Sequence, residues 1–233
     1  MPGSWRRDVA AVRERDPAAR SDAEVVLCYP GLHAVWGHRA AHRLWGADHR
    51  LAARFVSSVV RAWTSVDIHP AAVLGPGLFI DHALGVVIGE TAVVGADVTI
   101  YQGVTLGGTS LEAGKRHPTV GDRVTIGAGA KVLGPVTVGS GSRIGANAVV
   151  VRDVPPDSVV VGVPGQVIAR SRPRSATAPT DVDDALLPDL VGVTLGALQR
   201  QVDELERSVG GRVRTPEIRP SESGGWKGED FSI

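Results

Sequence analysis

The chain has 233 residues, 43% of them apolar, enough for one large or two small domains with a substantial core. Lys plus Arg and Asp plus Glu both number 25, so no overall field draws the chain to nucleic acid or to an anionic membrane surface. The opening MPGSWRRDVAAVRERD lacks an apolar h-region, and no later run approaches the roughly 18 uninterrupted apolar residues of a spanning helix; a cytoplasmic protein without a membrane partner is expected.

Residues 7 to about 60 read as helices, with apolar residues at three- and four-residue spacing around FVSSVVRAW and a turn at CYPG. The one cysteine, Cys28, has no partner for an intrachain disulfide and no CxxC spacing; it is expected to be buried in helix packing. His38 and His42 are one helical turn apart, but no third ligand accompanies them, so they are expected to pack beside Trp45 rather than hold a metal.

From Ile68 onward a period of six takes over. Aliphatic residues stand at Ile68, Leu74 and Ile80, at Ile88, Val94, Ile100 and Leu106, and at Val120, Ile126, Val132, Val138, Ile144 and Val150. Glycine follows eight of the thirteen, where it is expected to let the backbone turn without steric cost. Six residues is too short for a helix-turn-helix repeat. A short strand and a corner, three to a coil, solve the pattern, with aliphatics stacked inside a triangular prism at about 4.8 Å spacing. The expected fold class is mainly β: a parallel β-helix over 66–170, an N-terminal helical region over 1–65, and a linker, helix and exposed tail over 171–233.

In a solenoid, insertions map to surface loops and often to the binding face. The interval from Ile80 to Ile88 is eight residues and carries DHALG, placing Asp81 and His82 side by side at a corner. The interval from Leu106 to Val120 is fourteen and offers Lys115, Arg116 and His117 on a flexible arm. Asp67 precedes His82 by fifteen residues, near one coil, so the two are expected to meet across adjacent coils; the simpler role for Asp67 is to cap a turn before His69, itself read as structural.

The run SRPRSATAPTDVDD after Arg170 is linker-like. Val191, Leu195, Leu198, Val202, Leu205 and Val209 then alternate at four and three, a seam suited to a three-stranded coiled coil or to folding back on the prism. The chain closes on GGWKGEDFSI.

VDIHPAAVLGPGLFIDHALGVVIGET, YQGVTLGGTSLEAGKRHPTVGDRVTIGAGAKVLG, VVGVPG and the RDPA at 15–18 resemble the serine O-acetyltransferases over most of residues 16 to 170. The resemblance implies a left-handed coil, a homotrimer, and acetyl transfer from acetyl-CoA, a co-substrate rather than a cofactor, to the hydroxyl of L-serine in cysteine biosynthesis. It gives His82 the part of general base, Asp67 that of orienting the imidazolium, and His117 a further catalytic place. Asp16 and Asp81 match the acids that bind the serine ammonium, and Arg116, on a loop reaching the neighbouring subunit, matches the carboxylate ligand. Gly108, Ala128, Arg143 and Ala146 match the acetyl-CoA groove; the family has lysine where Arg143 stands. No metal is implied. L-Cysteine is implied as a feedback inhibitor, and Ile233 as the point of contact with O-acetylserine sulfhydrylase. The rival readings are a sugar or homoserine acyltransferase, a zinc hydratase using His69, His82 and His117, and a non-catalytic solenoid.

Overall fold

The computed structural model describes residues 4–170 and 190–208. Four helices come first: α1 (Ser4–Arg15), α2 (Asp22–Cys28), α3 (Pro30–Gly46) and α4 (Arg50–Thr64). Ser21 caps α2 by accepting from the Glu24 amide, and Pro30 opens α3 where its missing N–H costs nothing. Ser65 ends α4 in the left-handed conformation.

The first coil holds β1 (Asp67–Ile68), β2 (Val73–Leu74) and β3 (Phe79–Ile80). The second holds β4 (Val87–Ile88), β5 (Val93–Val94) and β6 (Thr99–Ile100), and the third β7 (Thr105–Gly107), β8 (Thr119–Val120) and β9 (Thr125–Ile126). The fourth holds β10 (Lys131–Leu133), β11 (Thr137–Val138) and β12 (Arg143–Ile144). Beyond them lie β13 (Val149–Val150), β14 (Ser158–Val161) and β15 (Gln166–Arg170). Strands three apart pair in parallel, except that β14 follows β12, giving faces ordered β1-β4-β7-β10-β13, β2-β5-β8-β11 and β3-β6-β9-β12-β14, the last closed by the antiparallel β15. In-register pairing stacks Ile68 on Ile88, Ile88 on Leu106, Leu106 on Val132 and Val132 on Val150. The expected thirteen aliphatics are these inward rungs, and all but Leu74, which is half-buried, are buried. At roughly 1.5–3 kcal/mol per buried aliphatic side chain, the ladder is the main stabilising element.

The glycines after the rungs have a different cause from the one expected. Positive φ falls instead on other corner residues, such as Gly77, Gly103 and Asp97. A Cβ at Gly121 would sit 2.7 Å from the Ser140 nitrogen, and one at Gly127 2.7 Å from that of Ala146. These glycines admit the backbone of the next coil.

The helices are tied to the prism by buried charge. Asp8 is fully buried, paired with Arg39, and accepts from Trp36 Nε1 at 3.2 Å and the Gly77 amide at 3.1 Å. Arg15, at the end of α1, donates to Gly77 O at 3.2 Å and Thr99 Oγ1 at 3.2 Å, and pairs with Asp97 at 3.4 Å. Burying such ions is costly unless each is fully bonded, so the contacts fix where α1 ends. Cys28 departs from expectation and is exposed. The short α2 buries only Val25 and ends at Cys28, and Tyr29, in extended conformation, turns the chain back toward the core.

His38 is 3% exposed, with a 5.5 Å ring contact to His42, whose Nδ1 is bonded to Pro70 O at 2.7 Å. Trp45 stacks instead on His69, edge to face at 5.0 Å. Burial first, then the charge of His42, push the His38 imidazole down to about 3. The unfolded chain takes up this proton near pH 6.5 and the folded chain does not, so stability is complete above 6.5 and falls as pH drops toward 3. The expected slope from this group is about 1.4 kcal/mol per pH unit. Urea midpoints between pH 7 and 4.5 check this: His38→Gln flattens the dependence relative to the parent.

Helix α5 (Leu190–Ser208) belongs to a separate unit. Leu198, Val202 and Leu205 of the expected seam form an exposed stripe along it, while Val209 lies outside the described residues. Among the described residues no helix is long and apolar enough to cross a membrane.

Candidate active site

The two breaks in the period build two clusters at opposite corners of the prism's first face. The short insertion turns the corner from the third face to the first. Asp81 O accepts from Ala83 N at 2.7 Å and His82 O from Leu84 N at 2.6 Å, with His82 and Ala83 both in the left-handed region at φ 56° and 61°. Such backbone is costly for residues with a Cβ and collects at functional sites. It thrusts the His82 side chain into solvent, 72% exposed, its Nε2 3.9 Å from Asp81 Oδ2. Beside this corner stands Asp16, placed by the Arg15 anchor. Its carboxylate accepts from Tyr29 Oη at 2.6 Å and from the Ala18 amide at 2.8 Å. Burial, with the charge of Asp16 adding to it, raises the Asp81 carboxyl. Two acids held this close are a ready site for a cation.

The second cluster lies where the first face turns to the second, in an open cleft of about 350 Å³ between α4 and the first two coils. Arg54, Arg61, Asp67, His69, Glu90, Arg116 and His117 line it. Arg116 is paired with Glu90, whose carboxyl this hydrogen bond lowers. His117 is buried, and burial, then the charge of Arg116, lower its imidazole. The end of the long insertion is therefore not the flexible arm expected. Lys115 Nζ donates to Thr91 O at 2.7 Å, and the Arg116 and His117 amides both donate to Thr91 Oγ1 at 3.0 Å.

Asp67 does not cap the turn before His69; it pairs with Arg61 at 3.2 Å. Within one chain no hydrogen bond joins it to His82. His69 keeps a structural place, its Nδ1 accepting from the Ala71 amide at 3.1 Å. His69 and His117 share the cleft while His82 stands at the other corner, so the three imidazoles of a hydratase do not converge within the chain.

The four groove positions divide in the same way. Ala128 and Ala146 lie on successive turns of the His82 corner, linked by Asn147 N donating to Ala128 O at 2.8 Å. None of the hydrogen bonds among the described residues uses the N–H of either alanine. Arg143 is on β12, one rung before that corner. Gly108 lies at the other corner, where an added Cβ would stand 3.2 Å from His117 Nε2.

Residues 117–152 match the model described as bacterial transferase hexapeptide (six repeats), and 85–112 the hexapeptide repeat of succinyl-transferase. The chain is 62% identical over 233 residues, all of both chains, to the serine acetyltransferase of Mycobacterium tuberculosis strain ATCC 25618 / H37Rv. It belongs to the serine acetyltransferases. Two solved members of this acyltransferase family are similar to the chain. The serine complex of the Neisseria gonorrhoeae serine acetyltransferase is 47% identical with a TM-score of 0.69, covering 71% of this chain and 68% of that one. The coenzyme A complex from Brucella abortus strain S19 is 46% identical with a TM-score of 0.72, covering 73% and 68%. Membership makes the coil a left-handed parallel β-helix, a hand that the period alone leaves open.

Sequence reading passed over Tyr29, Glu90 and Thr91. Tyr29 was visible only as part of a turn, and Glu90 and Thr91 follow a regular rung, with no break in the period to mark them. Their partners lie 13 to 26 residues away, brought close by coil stacking.

Proposed function

We propose that this serine acetyltransferase moves the acetyl group of acetyl-CoA to the Oγ of L-serine by direct attack, at sites shared between neighbouring copies. The single observation that carries this reading is the division of charge across the first face: acids and His82 at one corner, Arg116 and His117 at the other. A zwitterion needs both. The two corners are a side of about six residues apart, up to roughly 20 Å of extended chain, too far for one serine to bridge. Setting the His82 corner of one prism against the Arg116 corner of the next satisfies both ends of the substrate. That contact is head-to-tail and closes into a ring rather than an open filament, and the trimer that the family resemblance implies is such a ring. The division of Ala128 and Ala146 from Gly108 supports the same arrangement for acetyl-CoA. The exposed apolar stripe of Leu51, Phe55, Val59 and Trp63 on α4 supports assembly of copies.

At such a site Asp16 and Asp81 hold the ammonium and Arg116 the carboxylate through a bidentate fork. His82 takes the serine hydroxyl proton as Oγ attacks the acetyl carbonyl, then returns it to the CoA sulfur as the C–S bond breaks. No acetyl-enzyme forms and no cofactor is used. Asp67 steadies the imidazolium: it begins β1 and lies beside Val87, where the His82 corner enters β4, and the exposure of both side chains, 43% and 72%, leaves room for the rotation this requires. Pantetheine amides pair with the unused N–H groups of Ala128 and Ala146, with Gly108 opposite, and Arg143 meets a CoA phosphate. L-Cysteine carries the same ammonium and carboxylate and competes for the serine site. Ile233, the contact for the sulfhydrylase, lies outside the described residues. The setting is cytoplasmic.

Thiol release from acetyl-CoA, measured with L-serine beside homoserine and a panel of sugars, tests this reading. Release with serine at rates at least tenfold above the other acceptors is expected; preference for an uncharged sugar would overturn the assignment of the acids and Arg116.

A further inference from the structure

We propose that Thr91 is a positioning residue that locks His117 in one tautomer and aims its Nε2–H at the serine site. This rests on the reading that His117 and Arg116 face the substrate.

The hydrogen bonds around Thr91 account for every donor and acceptor. Its Oγ1 accepts from the Arg116 amide and from the His117 amide, both at 3.0 Å. A hydroxyl has two acceptor lone pairs and one proton. With both lone pairs taken, the proton goes to His117 Nδ1, 2.9 Å away. The Thr91 backbone N–H points at the same Nδ1 from 3.2 Å. An amide N–H can only donate, so Nδ1 is an acceptor, and the single ring proton of the neutral imidazole sits on Nε2. Protonating Nδ1 would set N–H against N–H, consistent with the lowered imidazole. The ring lies on glycine: a Cβ at Gly89 would overlap it, and one at Gly108 would stand 3.2 Å from Nε2.

His117 is thus built to donate, not to accept. A base at this corner would need a bare Nε2, which Thr91 withholds, and that leaves proton abstraction to His82. The same hydroxyl fixes the backbone of two consecutive residues, so the Arg116 fork and the His117 donor are delivered as one unit.

The test is Thr91→Val, which keeps the shape and removes the hydroxyl, beside Thr91→Ser, which keeps the hydroxyl. Serine and acetyl-CoA kinetics are read together with the His117 tautomer from long-range ¹⁵N–¹H spectra, assigned against His117→Gln. The expected result is a serine KM raised about tenfold in Thr91→Val, the scale of one lost hydrogen bond. The acetyl-CoA KM stays unchanged. With Oγ1 gone the Arg116 and His117 amides lose their anchor, the ring moves off the Thr91 amide and His117 becomes a tautomer mixture, while Thr91→Ser is parent-like in all three. A pure Nε2–H tautomer in Thr91→Val, or a rise in both KM values alike, overturns the proposal. His117→Gln with a parent-like serine KM overturns the reading beneath it as well.

Discussion

Serine-dependent CoA release is expected to fall about 10²- to 10⁴-fold when His82 becomes alanine, the usual contribution of a positioned general base. The hydroxyl of serine is a weak nucleophile toward a thioester, and losing its proton during attack is what makes the addition productive. His82 stands on a turn that places its ring in solvent, 72% exposed, so its removal takes away little packing. Its backbone is left-handed, a conformation that asparagine tolerates better than alanine. His82→Asn is therefore the matched control: the same loss of rate, with a thermal midpoint at the parent value, separates chemistry from folding. Binding of CoA to both variants, followed by calorimetry, stays at the parent level.

The second large effect is at Arg116. Arg116→Ala is expected to raise the serine KM about ten- to hundredfold, the scale of a hydrogen-bonded charge. Arg116→Lys recovers part of this, because an ammonium keeps the charge and loses the planar fork. Glu90 adds to the loss. Its carboxylate is paired with Arg116 and held low by that bond; once Arg116 is gone it faces the incoming serine carboxylate unneutralised. The double variant Arg116→Ala with Glu90→Gln is accordingly less impaired than Arg116→Ala alone, and initial-rate kinetics at varied serine measure the difference.

Much of the fold was legible because a hexapeptide rung is a local device. Each aliphatic is set by its own six residues, and in-register stacking turns a period into a prism. The helical region was legible as helices but not in its docking, which depends on pairs such as Asp8 with Arg39 and Arg15 with Thr99, distant in sequence and unmarked by any motif. The site divides along the same line. Asp81, His82, Arg116 and His117 announced themselves by interrupting the period. Thr91 did not, since its whole role is defined by partners 25 and 26 residues on. Cys28 and the rung-following glycines depart from the local pattern: the first is exposed where α2 stops, and the second, none of them at positive φ, make room for a neighbouring coil, its backbone at Gly121 and Gly127 and the His117 ring at Gly89.

Mixing the two impaired variants tests the shared site most directly. In His82→Ala each copy keeps Arg116, and in Arg116→Ala each copy keeps His82. Unfolded together, refolded at equal amounts and assayed for serine-dependent CoA release at subsaturating serine, they form mixed rings in which one junction of three carries both residues. Random assembly of trimers restores about a quarter of the parent activity, against at most about a tenth for Arg116→Ala refolded alone and about a hundredth or less for His82→Ala. A mixture no more active than the two variants apart would place His82 and Arg116 of the same copy in each site and contradict the sharing of the serine site between prisms.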